Sequence, residues 1–175
     1  LERGLEPYRL RQLVTSLLES ESQSFVTTHS PVAISCSEGA QLWYLDAAGN
    51  LGLLDREKIS THQRRDPETF FSRVSVIAEG ETEVGFIDKI LEKLFGGNPR
   101  DAGVRVCLGQ GDDQLLDLLE SFNRSGINFA GFADNDGKKP ERWAQLNTAM
   151  QARLFRWPNG CIETNILSLL PEEYL

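Results

Sequence analysis

From residue 73 onward the chain alternates strand-like apolar runs with amphipathic stretches, joined by connections of only a few residues, and this order limits the fold more than any other feature. "RVSVIA" (73–78) precedes a helical pattern over 82–95 that stops at Gly96-Gly97. "VRVCL" (104–108) precedes one over 112–125, with Gly126 past its end. "NFAGFA" (128–133) leads to a helix over 140–152, and "RLFRW" (153–157) to one over 162–170. Apolar runs of strand length, each followed by a segment of helical period, are the pattern of strand–helix units. Parallel strands need such crossovers, so the fold class is α/β, with a parallel sheet of about four strands flanked by helices.

The first 70 residues read differently. Leu10, Leu13, Val14, Leu17 and Leu18 have helical spacing, with Pro7 at a suitable first position, which predicts a helix over 7–20. "QSFVTTHSP" (23–31) reads as a short strand ending in a turn. Residues 41–54 read as a hairpin turning at Ala48-Gly49-Asn50, and the polar, aperiodic 55–69 as a linker. A domain boundary is expected near residue 70, giving units 1–70 and 71–175. No apolar run approaches the roughly 18 residues of a membrane span, so no membrane partner is expected. The N-terminus is charged, unlike a signal peptide, and lacks a methionine, so the chain reads as a piece of a longer protein. Cys36, Cys107 and Cys161 are odd in number and widely spaced, which argues against a disulfide framework or a zinc site and for a cytoplasmic setting. A net charge of −8, taken alone, speaks against a nonspecific nucleic-acid coat. It does not exclude a nuclease, because carboxylates loaded with divalent cations present positive charge locally.

Ligands of parallel sheets gather at the carboxyl ends of the strands. There the sequence places "EGETE" (79–83) after the first strand and "DNDG" (134–137) after the third, with Glu163 a few residues past the fourth. Glu79 and Glu83 are four apart across a strand-to-helix turn, so Glu83 is expected to reach back toward Glu79 while Glu81 points away. Asp134 and Asp136, two apart, project to one side of an extended segment. Such an oxygen-only set favours Mg²⁺ or Mn²⁺, with Ca²⁺ able to occupy the same place. Two such ions can clamp the attacking and leaving oxygens of a phosphodiester. The plain alternative is that the glutamates cap a helix and "DNDG" is only a turn.

"VIAEGETEVGFIDKIL" together with "FADNDG" resembles a Toprim domain, and the E-G-x-x-E form of Glu79, Gly80 and Glu83 is similar to the OLD (overcoming lysogenization defect) family of ATP-dependent nucleases. "GLEPYRLRQLVTSLLESESQSFVTTHSP" resembles the end of an ABC-type ATPase domain, in which His29 would match a switch histidine near the ATP γ-phosphate and Glu2 or Glu6 would lie near the Walker B region. The resemblance spans residues 73–137 and 5–34. It implies a Toprim catalytic domain preceded by a small ATPase remnant, acting on DNA by metal-dependent hydrolysis. Glu79, Glu83, Asp134 and Asp136 would be the catalytic metal ligands, and Glu163 a further ligand or a group orienting the attacking water. It also implies an ATPase domain in the same full-length chain and a homodimer. No G-x-x-x-x-G-K-[ST] loop is present, so ATP would be a cofactor of the full-length protein only. A small RNA-maturation nuclease of Toprim type, or a non-catalytic cation-dependent binding module, are the alternatives; "TTHSP" argues against the first.

Other residues have two readings each. Asp112 and Asp113 open a helix after the second strand, as acidic caps or as an outer part of the site. Lys138 and Lys139 either meet a phosphate or are solvated. His62 reads as a solvated linker residue. Trp43, Trp143 and Trp157 read as core or partly buried packing residues.

Overall fold

A computed structural model of the chain describes residues 4–169. Glu2 and the last residue of the helix expected over 162–170 fall outside that range. The expected alternation is present: β3 (Val74–Ala78), α4 (Glu81–Phe95), β4 (Val104–Leu108), α5 (Asp112–Ser125), β5 (Phe129–Ala133), α6 (Pro140–Met150), β6 (Leu154–Arg156) and α7 (Ile162–Leu167). The four strands form one parallel sheet in the order β4-β3-β5-β6. Ahead of them lie α1 (Pro7–Glu19), α2 (Pro31–Ser35), a hairpin of β1 (Trp43–Leu45) and β2 (Leu51–Leu53), and α3 (Arg56–Arg65).

Both faces of the sheet are covered, and the side-chain alternation of each strand assigns its residues to one face or the other. Ile77, Phe129 and Ala133 join the core under α5, α6 and α3, whereas Ala78 and Phe132 join a second cluster under α4 and α7. α5 is the most deeply set helix. Its Leu115, Leu116, Leu118, Leu119 and Phe122 are wholly buried, and each such side chain contributes about 1.5–3 kcal/mol of hydrophobic stabilisation. Phe122 packs edge-on against both Phe70 and Phe129.

The N-terminal part corrects four expectations. The polar stretch 55–69 is no aperiodic linker: it contains α3, capped by Asp55, whose side chain accepts the Glu57 N–H. Its inward face is Ile59, His62 and Gln63, at helical spacing but largely polar. His62, far from solvated, is 1% exposed and donates Nε2–H to the Leu108 carbonyl at 2.9 Å. Gln63 donates to the Ile34 carbonyl at 3.0 Å. Hydrogen bonds make those burials tolerable. The strand expected over 23–31 does not form. Among the described residues no neighbouring strand pairs with it, and an unpaired strand leaves its backbone groups unmatched. Instead the segment has no regular secondary structure up to Ser30, Phe25 stands 89% exposed, and its last residue, Pro31, starts α2. Trp43 is not core either, standing outward on the hairpin at 53% exposed, whereas Trp143 is buried and Trp157 half-buried.

The hairpin docks its other face on α5, and Gly52 permits it. A Cβ there would lie 1.9 Å from the Ser125 carbonyl oxygen. Tyr44 and Leu42 pack against the main core. α1 and α2 bury Leu10, Val14 and Ala33 in a small cluster of their own.

Candidate metal centre at the strand ends

The sheet order fixes where a site can form. From β3 the chain crosses to β4 on one side, then returns over β3 to β5 on the other. The carboxyl ends of β3 and β5 therefore flank the crevice at which open α/β sheets bind ligands. Ala78 pairs with Phe132 at that end, so the next residues of each strand, Glu79 and Asp134, emerge as neighbours. The Asp134 N–H donates to Glu79 Oε2 at 3.2 Å, and the Glu79 N–H to the Phe132 carbonyl at 3.2 Å. The acids that sequence separates by 55 positions thus meet through the β3–β5 pairing.

Glu83 turns back from the first turn of α4, its Oε2 accepting the Gly80 N–H at 2.9 Å. It is 5% exposed. The positive end of the helix dipole supports a carboxylate there. Gly80 leaves the room: a Cβ at that position would lie 2.7 Å from Glu83 Oε2. Glu81 is exposed on the same turn. Asp134 is held from three sides. Besides its bond to Glu79, its Oδ1 accepts the Ile162 N–H at 3.0 Å and its carbonyl accepts Arg156 Nε–H at 2.9 Å. Asp136 is exposed and paired with Lys138 at 3.2 Å. Glu163 is exposed at the start of α7.

The electrostatics are those of a crowded carboxylate cluster. Asp134 is pushed up to about 6, first by burial and then by the charge of Glu83, with Glu163 and Asp136 adding to it against the pull of the Ile162 N–H. Glu79 is raised by burial and by Asp134, Asp112 and Asp136, against the Asp134 N–H. Glu163 is held below the usual range, chiefly by its own backbone N–H and then by Cys161, with Thr82 of α4 adding to it. Glu79, Glu83, Asp134, Asp136 and Glu163 are thus electrically coupled at one edge of the sheet. Among the described residues no three of them converge tightly enough to hold an ion as they stand. Glu83 faces Gly80, and one Asp134 oxygen faces Ile162. The donor set still fits a hard divalent cation: it is all oxygen, gathered along one sheet edge, and repulsive without positive charge. Reorienting Glu83 would bring it to such an ion.

Three participants were not legible as a group. Asp112 accepts the Trp143 Nε1–H at 3.0 Å and pairs with Lys139 at 3.1 Å. Lys139 also pairs with Asp113, so it is neutralised locally, whereas Lys138 pairs with Asp136. The loop carrying Asp112 is tied to the site by the Gly111 N–H, which donates to the Glu79 carbonyl at 3.1 Å. The Arg156 guanidinium lies 4.5 Å from the centre of the Trp143 ring. An aspartate opening α5, a tryptophan of α6 and an arginine ending β6 meet only because of the strand order. His29 lies ahead of α2, in the segment expected as a strand, and is exposed. Cys36, Cys107 and Cys161 are unpaired, and none of the described helices is long and apolar enough to cross a membrane.

No curated protein matches the chain. Residues 70–136 match the family model described as "Overcoming lysogenization defect protein-like, TOPRIM domain". That stretch contains Glu79, Glu83, Asp134 and Asp136. Toprim domains generally bind divalent metals and process nucleic acids. Residues 70–136 therefore carry an OLD-like Toprim match, within an α/β fold whose four-stranded parallel sheet is consistent with Toprim.

Proposed function

We propose that this chain is the metal-dependent DNA endonuclease or nickase part of an OLD-type nuclease. The observation that carries the reading is the meeting of Glu79 and Asp134 at the crevice between β3 and β5, inside a carboxylate cluster that pushes Asp134 up to about 6. Glu79, Glu83, Asp134 and Asp136 would hold two Mg²⁺ or Mn²⁺ ions, with Glu163 a further ligand or a group orienting water. The ions would supply Lewis-acid stabilisation of the charge that develops on the phosphodiester oxygens. Asp134 is suited to positioning because its carboxylate and backbone are both fixed by neighbouring elements. His29 in "TTHSP" is the ATP switch of an ATPase domain in the full-length, homodimeric protein, of which residues 1–70 include a remnant. The unpaired cysteines fit a cytoplasmic location.

A second reading, a cation-dependent nucleic-acid-binding module without turnover, draws on Glu83 being turned to Gly80 rather than toward the other acids. Relaxation of supercoiled plasmid, with Mg²⁺ or Mn²⁺ against EDTA, separates the two. Metal-dependent nicking lost in Asp134→Asn supports the nuclease. Metal-dependent DNA binding without any product supports the module.

A further inference from the structure

We propose that Arg156 is the crevice's phosphate contact, binding a backbone phosphate of the DNA beside the carboxylates; this deepens, and rests on, the nuclease reading. Arg156 ends β6, the strand next to β5, and its stem therefore rises at the same sheet edge as Asp134. Two anchors fix the guanidinium. Nε–H is spent on the Asp134 carbonyl at 2.9 Å, and the Trp143 ring lies 4.5 Å away. Trp143 is itself immobilised, buried at 2% with its indole N–H on Asp112. A guanidinium held over an indole face by the cation–π attraction keeps its terminal N–H donors available to a further partner.

Those groups are the point of the arrangement. The charges of Asp112, Glu79 and Asp136 all act on Arg156, yet among the described residues its only hydrogen bond is the one from Nε to a neutral carbonyl. The ordinary fate of an arginine among carboxylates is to be ion-paired, as Arg142 bridges Asp117 and Glu120, and Arg105 bridges Asp66 and Glu68. Arg156 is held out of such a pair and keeps both terminal nitrogens. Planar, bidentate N–H donors suit phosphate oxygens. Lysines nearby are poorer candidates, since Lys139 is committed to Asp112 and Asp113 and Lys138 to Asp136.

The test uses the whole chain and a short fluorescein-labelled duplex with phosphorothioate linkages, which resist cleavage. Anisotropy is followed across a salt series in Ca²⁺, and plasmid nicking is measured separately in Mg²⁺. Arg156→Met keeps an apolar stem over Trp143 and removes the charge. It is expected to weaken binding about tenfold and to lower the slope of log affinity against log salt by about one, the signature of one lost phosphate contact. Arg156→Lys should recover the slope but only part of the affinity. In nicking, the loss in Arg156→Met should fall more on KM than on kcat. Wild-type affinity and slope in Arg156→Met overturn the proposal and leave the nuclease reading standing. Weakened binding in that variant, with no nicking by the wild-type chain, keeps the contact and removes the nuclease reading. If the wild-type chain binds no duplex, both fall. Should Arg156→Met fail to fold, Arg156→Lys decides: affinity equal to wild type overturns the proposal.

Discussion

Replacing Asp134 by asparagine isolates the charge of the cluster from its geometry. The amide oxygen still accepts the Ile162 N–H, and the backbone bonds to Glu79 and Arg156 are untouched. Only the negative charge leaves. The folded protein raises the Asp134 carboxyl from 3.8 to about 6, so ionising it costs stability. That cost is absent below about pH 4, grows as pH rises toward 6, and is constant above. At ~1.4 kcal/mol per pH unit, the upper bound is roughly 3 kcal/mol; screening at this partly exposed side chain reduces it to about 1 kcal/mol. In EDTA at pH 7.5, Asp134→Asn should therefore melt about 2–4 °C above the wild type, and the gain should vanish near pH 4. Added Mg²⁺ should reverse the order, because an ion that binds only the folded wild type raises its Tm by mass action. Circular dichroism melts with and without the ion suffice. A lower Tm for the variant at pH 7.5 in EDTA, or a gain that does not depend on pH, refutes the electrostatic argument and leaves Asp134 as a plain helix cap.

Asp136→Ala should abolish metal-dependent nicking while Glu81→Ala, exposed on the outer side of the same turn as Glu83, should leave it within a few-fold of wild type; the reverse ranking in a plasmid assay would show that the strand-end alignment is wrong. Gly52→Ala should lower the denaturant midpoint by the equivalent of about 1–3 kcal/mol, since its Cβ would run into the Ser125 carbonyl at 1.9 Å; an unchanged midpoint means that the hairpin does not dock there. His62 has its pKa lowered from 6.5, mainly by burial, so the fold favours its neutral form, and stability is lost as pH falls below about 6.5. His62→Asn should be less stable than wild type at pH 8 but should lose less between pH 7 and 5, and parallel pH profiles for the two would remove His62 as an acid-sensitive group.

Why some of this was legible and some was not follows from range. The strands of the parallel sheet show as short apolar runs because both of their faces are covered, and two of the helices, α4 and α5, end at glycines in the left-handed region, Gly96 and Gly126. Placing Glu79 and Asp134 at strand ends needed only those boundaries. α3 was hidden because its inward face is written with His62 and Gln63, and apolar periodicity cannot report a face that is buried by hydrogen bonding. Phe25 and Val26 have strand chemistry, but a strand is a property of a pair, and the partner is not found among the described residues. Arg156 and Trp143 are unreadable as a pair for another reason. Their contact depends on β6 lying beside β5, an order that no local pattern specifies.

The same order, β4-β3-β5-β6, sets when the site comes into being as the protein folds. Helices such as α5 close contacts between near neighbours along the chain. β3 must instead pair on both sides with strands reached only after long crossovers, and non-local pairing of this kind is slow because loop-closure entropy is lost before any contact compensates it. Until β5 docks on β3, the chain holds two separate acidic fragments, Glu79 with Glu83 and Asp134 with Asp136, neither with enough oxygen donors to retain a divalent ion. The carboxylate cluster therefore forms only once β5 has paired with β3, however early the helices between them close.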